Sequence, residues 1–222
     1  MPPDSAALRD RLHAAATALG LPLQDAEATQ LLAYLDLLQR WNGTYNLTAI
    51  RDPQQMLTQH LADCLAVIAP LRRQLGMRAS SARLLDVGSG GGLPGAVIAI
   101  LCPDISVTCV DTVGKKAAFI QQAAAQLRLP NLLSRHARVE QLRDEAFDVI
   151  TSRAFASLAD VVSLTKALLG ADGVWMAMKG KPPAEEMGAL PEGIAVFHVE
   201  HLRVPGLDAE RCLVWMRPAA SL

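Results

Sequence analysis

Apolar positions recur along this chain with two different periods, and the period changes near residue 82. Before that point leucine and alanine return every three or four residues: Leu8, Leu12, Ala15, Ala16 and Leu19, then Leu31, Leu32, Leu35, Leu38 and Trp41. Such spacing lines one side of a helix, so helices are predicted over 4–19 and from Asp25 onward. Asp4 or Ser5 suits the first cap and Gly20 the stop. Asn42-Gly43 reads as a turn, with Trp41 and Tyr45 at its rim. Asp52-Pro53 supplies the cap and first residue of a third helix reaching about Ile68, and 70–81 reads as a connector.

From Arg83 the pattern becomes short apolar runs alternating with helical stretches. Strands are predicted at 83–87, 106–111, 132–136, 147–152 and 173–179, with helices at 94–102, 114–128 and 157–169. That alternation implies a mainly parallel sheet. Two further strands, 195–204 and 211–217, have no room for a helix between them, so they form an antiparallel hairpin. The division expected is an N-terminal helical extension over 1–81, a lid or a substrate platform, and an α/β domain over 82–222.

The stretch Leu84-Leu85-Asp86-Val87-Gly88-Ser89-Gly90-Gly91-Gly92-Leu93-Pro94-Gly95 is the chemical centre of this pattern. A buried strand runs into a glycine-rich turn, and Pro94 suits the first turn of the helix that follows. Strand, turn and helix N-terminus form a nucleotide cradle in an open α/β sheet. Gly90-x-Gly92-x-x-Gly95 also fits the dinucleotide fingerprint, a weak match by itself. Asp86 argues against a diphosphate, because its carboxylate would meet like charge, whereas a ligand with an ammonium and a sulfonium would be attracted. S-adenosylmethionine carries both. Asp111 ends the second strand about 20 positions past the glycines, where ribose hydroxyls are held. The pair Asp86 and Asp111 therefore favours S-adenosylmethionine over NAD. With this cofactor the strand order reads as a class I, Rossmann-like methyltransferase sheet, mostly parallel with a C-terminal antiparallel hairpin.

Composition adds limits. The chain has 222 residues and 51% hydrophobic content, enough for a sizeable core. No apolar run reaches membrane-spanning length and the start lacks the pattern of a signal peptide, so a soluble cytoplasmic protein is expected, as a monomer. Cys64, Cys102, Cys109 and Cys212 show no paired spacing and read as free buried thiols. His198 and His201, three apart on a strand, point to opposite faces, so no metal site is expected. The formal charge is −1, yet all five lysines fall between 115 and 181, most of them after strand ends. A local basic rim is therefore expected, and Lys179 and Lys181, flanking Gly180, suit a polyanion. Arg153, after the fourth strand, is suited to clamp a carboxylate or a phosphate.

Several motifs together resemble one family. They are Trp41-Asn42-x-x-x-Asn46-Leu47-Thr48-x-x-Arg51, the Asp86–Gly95 turn, Asp111 with Gly114-Lys115-Lys116, Arg138-Val139-Glu140, Ser152-Arg153-Ala154-Phe155-Ala156, and Lys179-Gly180. Over nearly its whole length the chain resembles the RsmG (GidB) family, bacterial methyltransferases acting on N7 of a guanine in 16S rRNA. The resemblance implies cofactor contacts at Gly88, Leu93, Val139, Glu140 and Arg153, with Asp111 on the ribose, and RNA as the partner of a basic rim of Arg51, Lys115, Lys116, Lys179 and Lys181. Gly90 and Asp86 join them from the reading of the turn. One departure is His60-Leu61-Ala62-Asp63-Cys64-Leu65, where the family usually carries a large or aromatic residue and a serine. No general base is expected, since guanine N7 already offers a lone pair, and Arg153 is expected to act by positioning. Phe155, Tyr45 or Trp41 is suited to stack on the target base. The alternatives left open are a small-molecule methyltransferase and an NAD-binding oxidoreductase or nucleotide sensor.

Overall fold

The structure, a computed structural model, describes residues 3–143 and 146–219. Five parallel strands follow the expected order: β1 (Arg83–Val87), β2 (Ser106–Asp111), β3 (Leu132–His136), β4 (Phe147–Arg153) and β5 (Leu169–Lys179). The hairpin is present as β6 (Ile194–Leu202) and β7 (Arg211–Pro218). β7 lies antiparallel between β5 and β6, so the sheet runs β3-β2-β1-β4-β5-β7-β6. The edge strand β6 carries His198, Glu200 and His201 among its apolar residues, and polar side chains on an edge deter pairing with other chains.

Strands buried on both faces send alternate side chains to opposite cores. Leu84, Val149, Met176 and Leu213 join one apolar cluster, whereas Leu85, Ile150, Trp175 and Val214 join another. The first cluster also takes in Leu12, Leu31, Leu35, Leu38 and Leu61 from the N-terminal helices. The second is covered by α8 (Leu158–Thr165) through Leu158, Val161 and Val162. Helices α6 (Gly95–Leu101) and α7 (Gly114–Gln126) pack on the first face with the N-terminal helices.

Several boundaries differ from the sequence-based expectations. α1 (Pro3–Ala18) begins ahead of Asp4 and Ser5, which lie inside its first turn. α2 (Asp25–Tyr45) continues through Asn42-Gly43 and ends at Asn46, whose φ of 49° is left-handed. The reason is Asn42: its side chain is buried, donates to the Ile50 carbonyl and accepts from Thr48 N–H. Those bonds tie the following loop back onto the helix, and the left-handed turn falls four residues later. The third predicted helix starts as expected, with Asp52 as cap and Pro53 first, and runs without a gap through α3 (Pro53–Met56), a π-helical segment Leu57–Ala62, and α4 (Asp63–Leu65). The expected connector is instead α5 (Ile68–Leu75) followed by a 3-10 turn Gly76–Ser81. Pro70 fits there because it occupies the first turn, where no N–H is needed, and Leu71 and Leu75 are buried. α8 ends at Thr165 and β5 starts early at Leu169, beside a register shift between Phe147 and Val149. Pro94 is the N-cap of α6 rather than its first residue.

Candidate functional site

The chain passes from β1 outward to β2 and β3, then returns to β4 on the other side of β1. A crevice opens outside the carboxyl ends of strands at such a reversal. Here it is a cavity of about 550 Å³, bounded by the turn after β1, the ends of β4 and β5, the start of β7, and the π segment with Asp63. That volume lies in the ordinary range for small-ligand sites, about 300–1,000 Å³.

The glycine turn needs backbone conformations that other residues resist: Gly88, Gly90 and Gly92 have φ of 63°, 58° and 85°. A Cβ on Gly88 would collide with the Phe155 ring, whereas one on Gly90 would meet nothing within 4 Å. The turn is held from three sides. Tyr34 of α2 donates its hydroxyl to the Gly91 carbonyl at 2.5 Å. Asp111, at the end of β2, accepts from Gly90 N–H at 3.0 Å and from Val113 N–H at 2.8 Å. Asp86 accepts from Gly95 N–H at 2.8 Å.

Asp86 corrects one sequence-based expectation. Its carboxylate does not face the cavity; it is 0% exposed and lies beneath the turn, with Oδ1 unpaired. Burial pushes its carboxyl up to about 7, offset in part by the Gly95 hydrogen bond. The charge that sequence reasoning placed against the ligand is therefore half neutralised near pH 7 and acts from below.

Of the expected site residues, Gly88, Gly90, Leu93, Lys116, Arg153 and Lys179 line the cavity. Asp111 adjoins it through Gly90, and Lys116 Nζ stands 3.8 Å from its Oδ2. Val139 and Glu140 form a 3-10 turn Val139–Gln141 after β3, outside the lining, with Val139 buried and Glu140 exposed. Arg51, Lys115 and Lys181 are exposed and also outside it; Arg51 donates to Asn46 Oδ1 at 2.9 Å. Lys179 is held by Glu186, at 2.8 Å, and by the Ala156 carbonyl. Phe155 is 40% exposed with its ring over Gly88, and the preceding Ala154 has a left-handed φ of 51°.

Two lining residues, Asp63 and Arg211, were not singled out from sequence as site residues. Asp63 accepts from Arg153 Nη1 at 3.2 Å and from Arg211 Nε at 2.9 Å. A lone carboxylate inside the apolar run Leu61-Ala62-Asp63-Cys64-Leu65 was the available signal, because buried acids need a cationic partner. Arg211, after the exposed Glu210, carried none. His60 bonds through Nε2 to the Thr48 hydroxyl at 2.9 Å. Burial, then the nearby Arg153 charge, lower it to about 4, so the ring is neutral at pH 7. It sits in the π segment, a form of helix that recurs at functional sites.

All four cysteines are buried free thiols. No helix among the described residues is long and apolar enough to cross a membrane.

The fold is shared with known methyltransferases. TrmN from Thermus thermophilus matches with a TM-score of 0.55 at 20% identity, over 73% of this chain and 53% of that one. A SAM-dependent methyltransferase from Aquifex aeolicus matches with a TM-score of 0.53 at 17% identity, over 74% and 98%. Sequence similarity is far closer to proteins named ribosomal RNA small subunit methyltransferase G. The one from Leptothrix cholodnii is 68% identical over 95% of each chain. The one from Methylibium petroleiphilum is 62% identical over 97% of this chain and 96% of that one. The family model described as rRNA small subunit methyltransferase G (GidB) matches residues 27–214, and the chain belongs to that family, S-adenosylmethionine-dependent methyltransferases of ribosomal RNA.

Proposed function

We propose that this protein places a methyl group on N7 of a guanine in 16S rRNA, acting on an exposed base of the RNA or of a partly assembled small subunit. The observation that carries this reading is one cavity lined both by an open glycine turn and by the cationic side chains Lys116, Arg153, Lys179 and Arg211. A polyanionic acceptor suits that lining better than a small neutral one.

The site fits S-adenosylmethionine. Space above Gly90 is open, and the Asp111 carboxylate, anchored by two backbone N–H groups, keeps lone pairs for ribose hydroxyls. Gly88 and Gly90 would bring backbone close to the ligand, and Arg153 would take its carboxylate. Val139 and Glu140 would hold the adenine from the neighbouring strand end, and Asp86 would act indirectly, by fixing the turn. When bound, the cofactor supplies an electrophilic methyl on a sulfonium.

The protein's own task is then mostly alignment. Guanine N7 has a free lone pair, so no proton is removed before attack and the methylated base becomes cationic. Neutral His60 and the paired Asp63 are consistent with a site that moves no proton. Effective concentration and in-line geometry supply the rate. N7 in an A-form helix lies in a deep, narrow groove, so the target is expected in a loop or in RNA whose helices are still open. Phe155, exposed beside Gly88, is placed to stack on such a base.

The test is transfer of labelled methyl to small-subunit RNA and to assembly particles, with the modified base mapped by chemical cleavage at N7-methylguanine. Wild-type protein is expected to label one guanine and Arg153→Ala to lose at least tenfold in rate. No transfer, or label on another atom, overturns the proposal.

A further inference from the structure

Asp63 is the only carboxylate among the described residues lining the cavity, and it is almost wholly buried. It stands on α4, directly after the π segment, and meets guanidinium groups from two separate strands. Oδ2 accepts from Arg153 Nη1, at the end of β4, at 3.2 Å; Oδ1 accepts from Arg211 Nε, at the start of β7, at 2.9 Å. Arg153 Nη1 also donates to the Gln59 carbonyl of the π segment at 3.2 Å, and Arg211 Nη1 to the Glu210 carbonyl at 2.8 Å. Arg153 thus spends only Nη1 on these protein acceptors, and Arg211 spends Nε and Nη1. Nε and Nη2 of Arg153 and Nη2 of Arg211 meet no acceptor among the described residues, and both side chains line the cavity.

A single carboxylate against two guanidinium groups leaves one positive charge in excess, fixed in direction. Guanidinium forks of this kind match oxyanions. We propose that Asp63 is a positioning residue, which splits its two oxygens between Arg153 and Arg211 and thereby aims their remaining N–H groups at one bound oxyanion. That oxyanion is either the cofactor's carboxylate or a phosphodiester beside the target guanine. The inference deepens the methyl-transfer reading and rests on it for the identity of the ligand. It also explains why an N-terminal segment meets the strand ends through a charge, since neither arginine has another carboxylate at hand among the described lining residues.

The experiment uses the full chain with Asp63→Asn, Arg211→Ala and the double variant. Affinity for S-adenosylhomocysteine is measured by calorimetry, and kcat and KM for small-subunit RNA at several salt concentrations. If the oxyanion is the cofactor's carboxylate, Asp63→Asn weakens S-adenosylhomocysteine about tenfold or more. If it is a phosphodiester, KM for RNA rises by a similar factor with kcat largely kept, and the salt dependence flattens by close to one phosphate contact. In both cases the double variant loses no more than the worse single one, because both changes dismantle one device. Unchanged affinity and KM in Asp63→Asn, or multiplicative losses in the double variant, overturn the proposal. Should Asp63→Asn not fold, Arg211→Lys decides: it keeps the charge and loses the fork, so it is expected to lose most of what Arg211→Ala loses, and wild-type behaviour overturns the idea. The calorimetric arm needs no RNA, so failure of the clamp and failure of the RNA reading remain distinguishable.

Discussion

Asp86 and His60 sit within one fold at opposite ends of the same electrostatic rule. Both are buried, and burial disfavours the charged form, so the acid is raised to about 7 and the base lowered to about 4. For Asp86 the native state holds its proton more tightly than the unfolded chain, whose aspartates titrate near about 3.9. Its contribution to stability is full below about pH 4 and is lost as pH rises through 7. For His60 the sign reverses: its contribution is full above about 6.5 and is lost as pH falls toward 4. Across the overlapping window the two slopes oppose, so a bare pH–stability curve hides both. Asp86→Asn separates them, since it retains an oxygen for Gly95 N–H and removes the ionisation. In urea melts from pH 5 to 8 the stability of the variant relative to wild type is expected to improve up to about pH 7, by at most about 1.4 kcal/mol per unit, and to level off above it. A gap that does not vary with pH would remove the assignment. Asp86 also shows what was and was not legible at this scale. That a carboxylate belongs at the end of β1 was readable from the run Leu84-Leu85-Asp86-Val87-Gly88; which way it turns was not, because the direction depends on Gly95 returning nine residues later.

Among the elements, α2 bears most directly on the turn. Leu38 stands 3.1 Å from where a Cβ on Gly91 would lie, and Tyr34 hydrogen-bonds the Gly91 carbonyl, so a helix from the N-terminal segment forms one wall of the cradle. Tyr34→Phe deletes that bond and leaves a carbonyl unpaired, at a cost of about 1–3 kcal/mol. S-adenosylhomocysteine affinity is expected to fall several-fold, because the turn is less rigid, while circular dichroism stays unchanged; unaltered affinity would show that the tether is only structural. Strands and long helices were legible because their apolar periods are strong, as in Leu84–Val87 or Ala117–Ala123. Between Asn42 and Ser81 the start of the third helix at Asp52-Pro53 was legible, and the rest was not. Asn42-Gly43 has the local chemistry of a turn, and only the bonds from Asn42 to Thr48 and Ile50 keep it helical. A π segment has no periodic signature of its own, and Pro70 reads as a breaker unless its place in a first turn is known.

At the level of the molecule, one apolar cluster runs from Leu12 through Leu38 and Leu61 to Val107, Met176 and Trp215. The boundary near residue 82 marks a change of architecture, not a gap in the core. A fragment over 82–222 keeps α6 and α7 but would expose the apolar surface that the N-terminal helices cover, and is expected to bind hydrophobic dyes and to lack a cooperative thermal transition; a sharp melt like that of the full chain would show an independent domain. The cavity itself was partly legible, since Gly88, Gly90 and Arg153 follow strand ends in sequence. Its far wall was not, because Asp63 and Arg211 lie 148 positions apart and meet only once the sheet is assembled.

The order of the last strands has a consequence for how the molecule is made. β7 lies between β5 and β6, although β6 precedes it in the chain. A ribosome therefore delivers β6 while the place beside it is vacant, and the ladder cannot extend past β5 until β7 slides in. Arg211 is the first residue of that strand, so the event that seals the sheet also completes the binding cleft, and a nascent chain cannot acquire the activity before its architecture is finished.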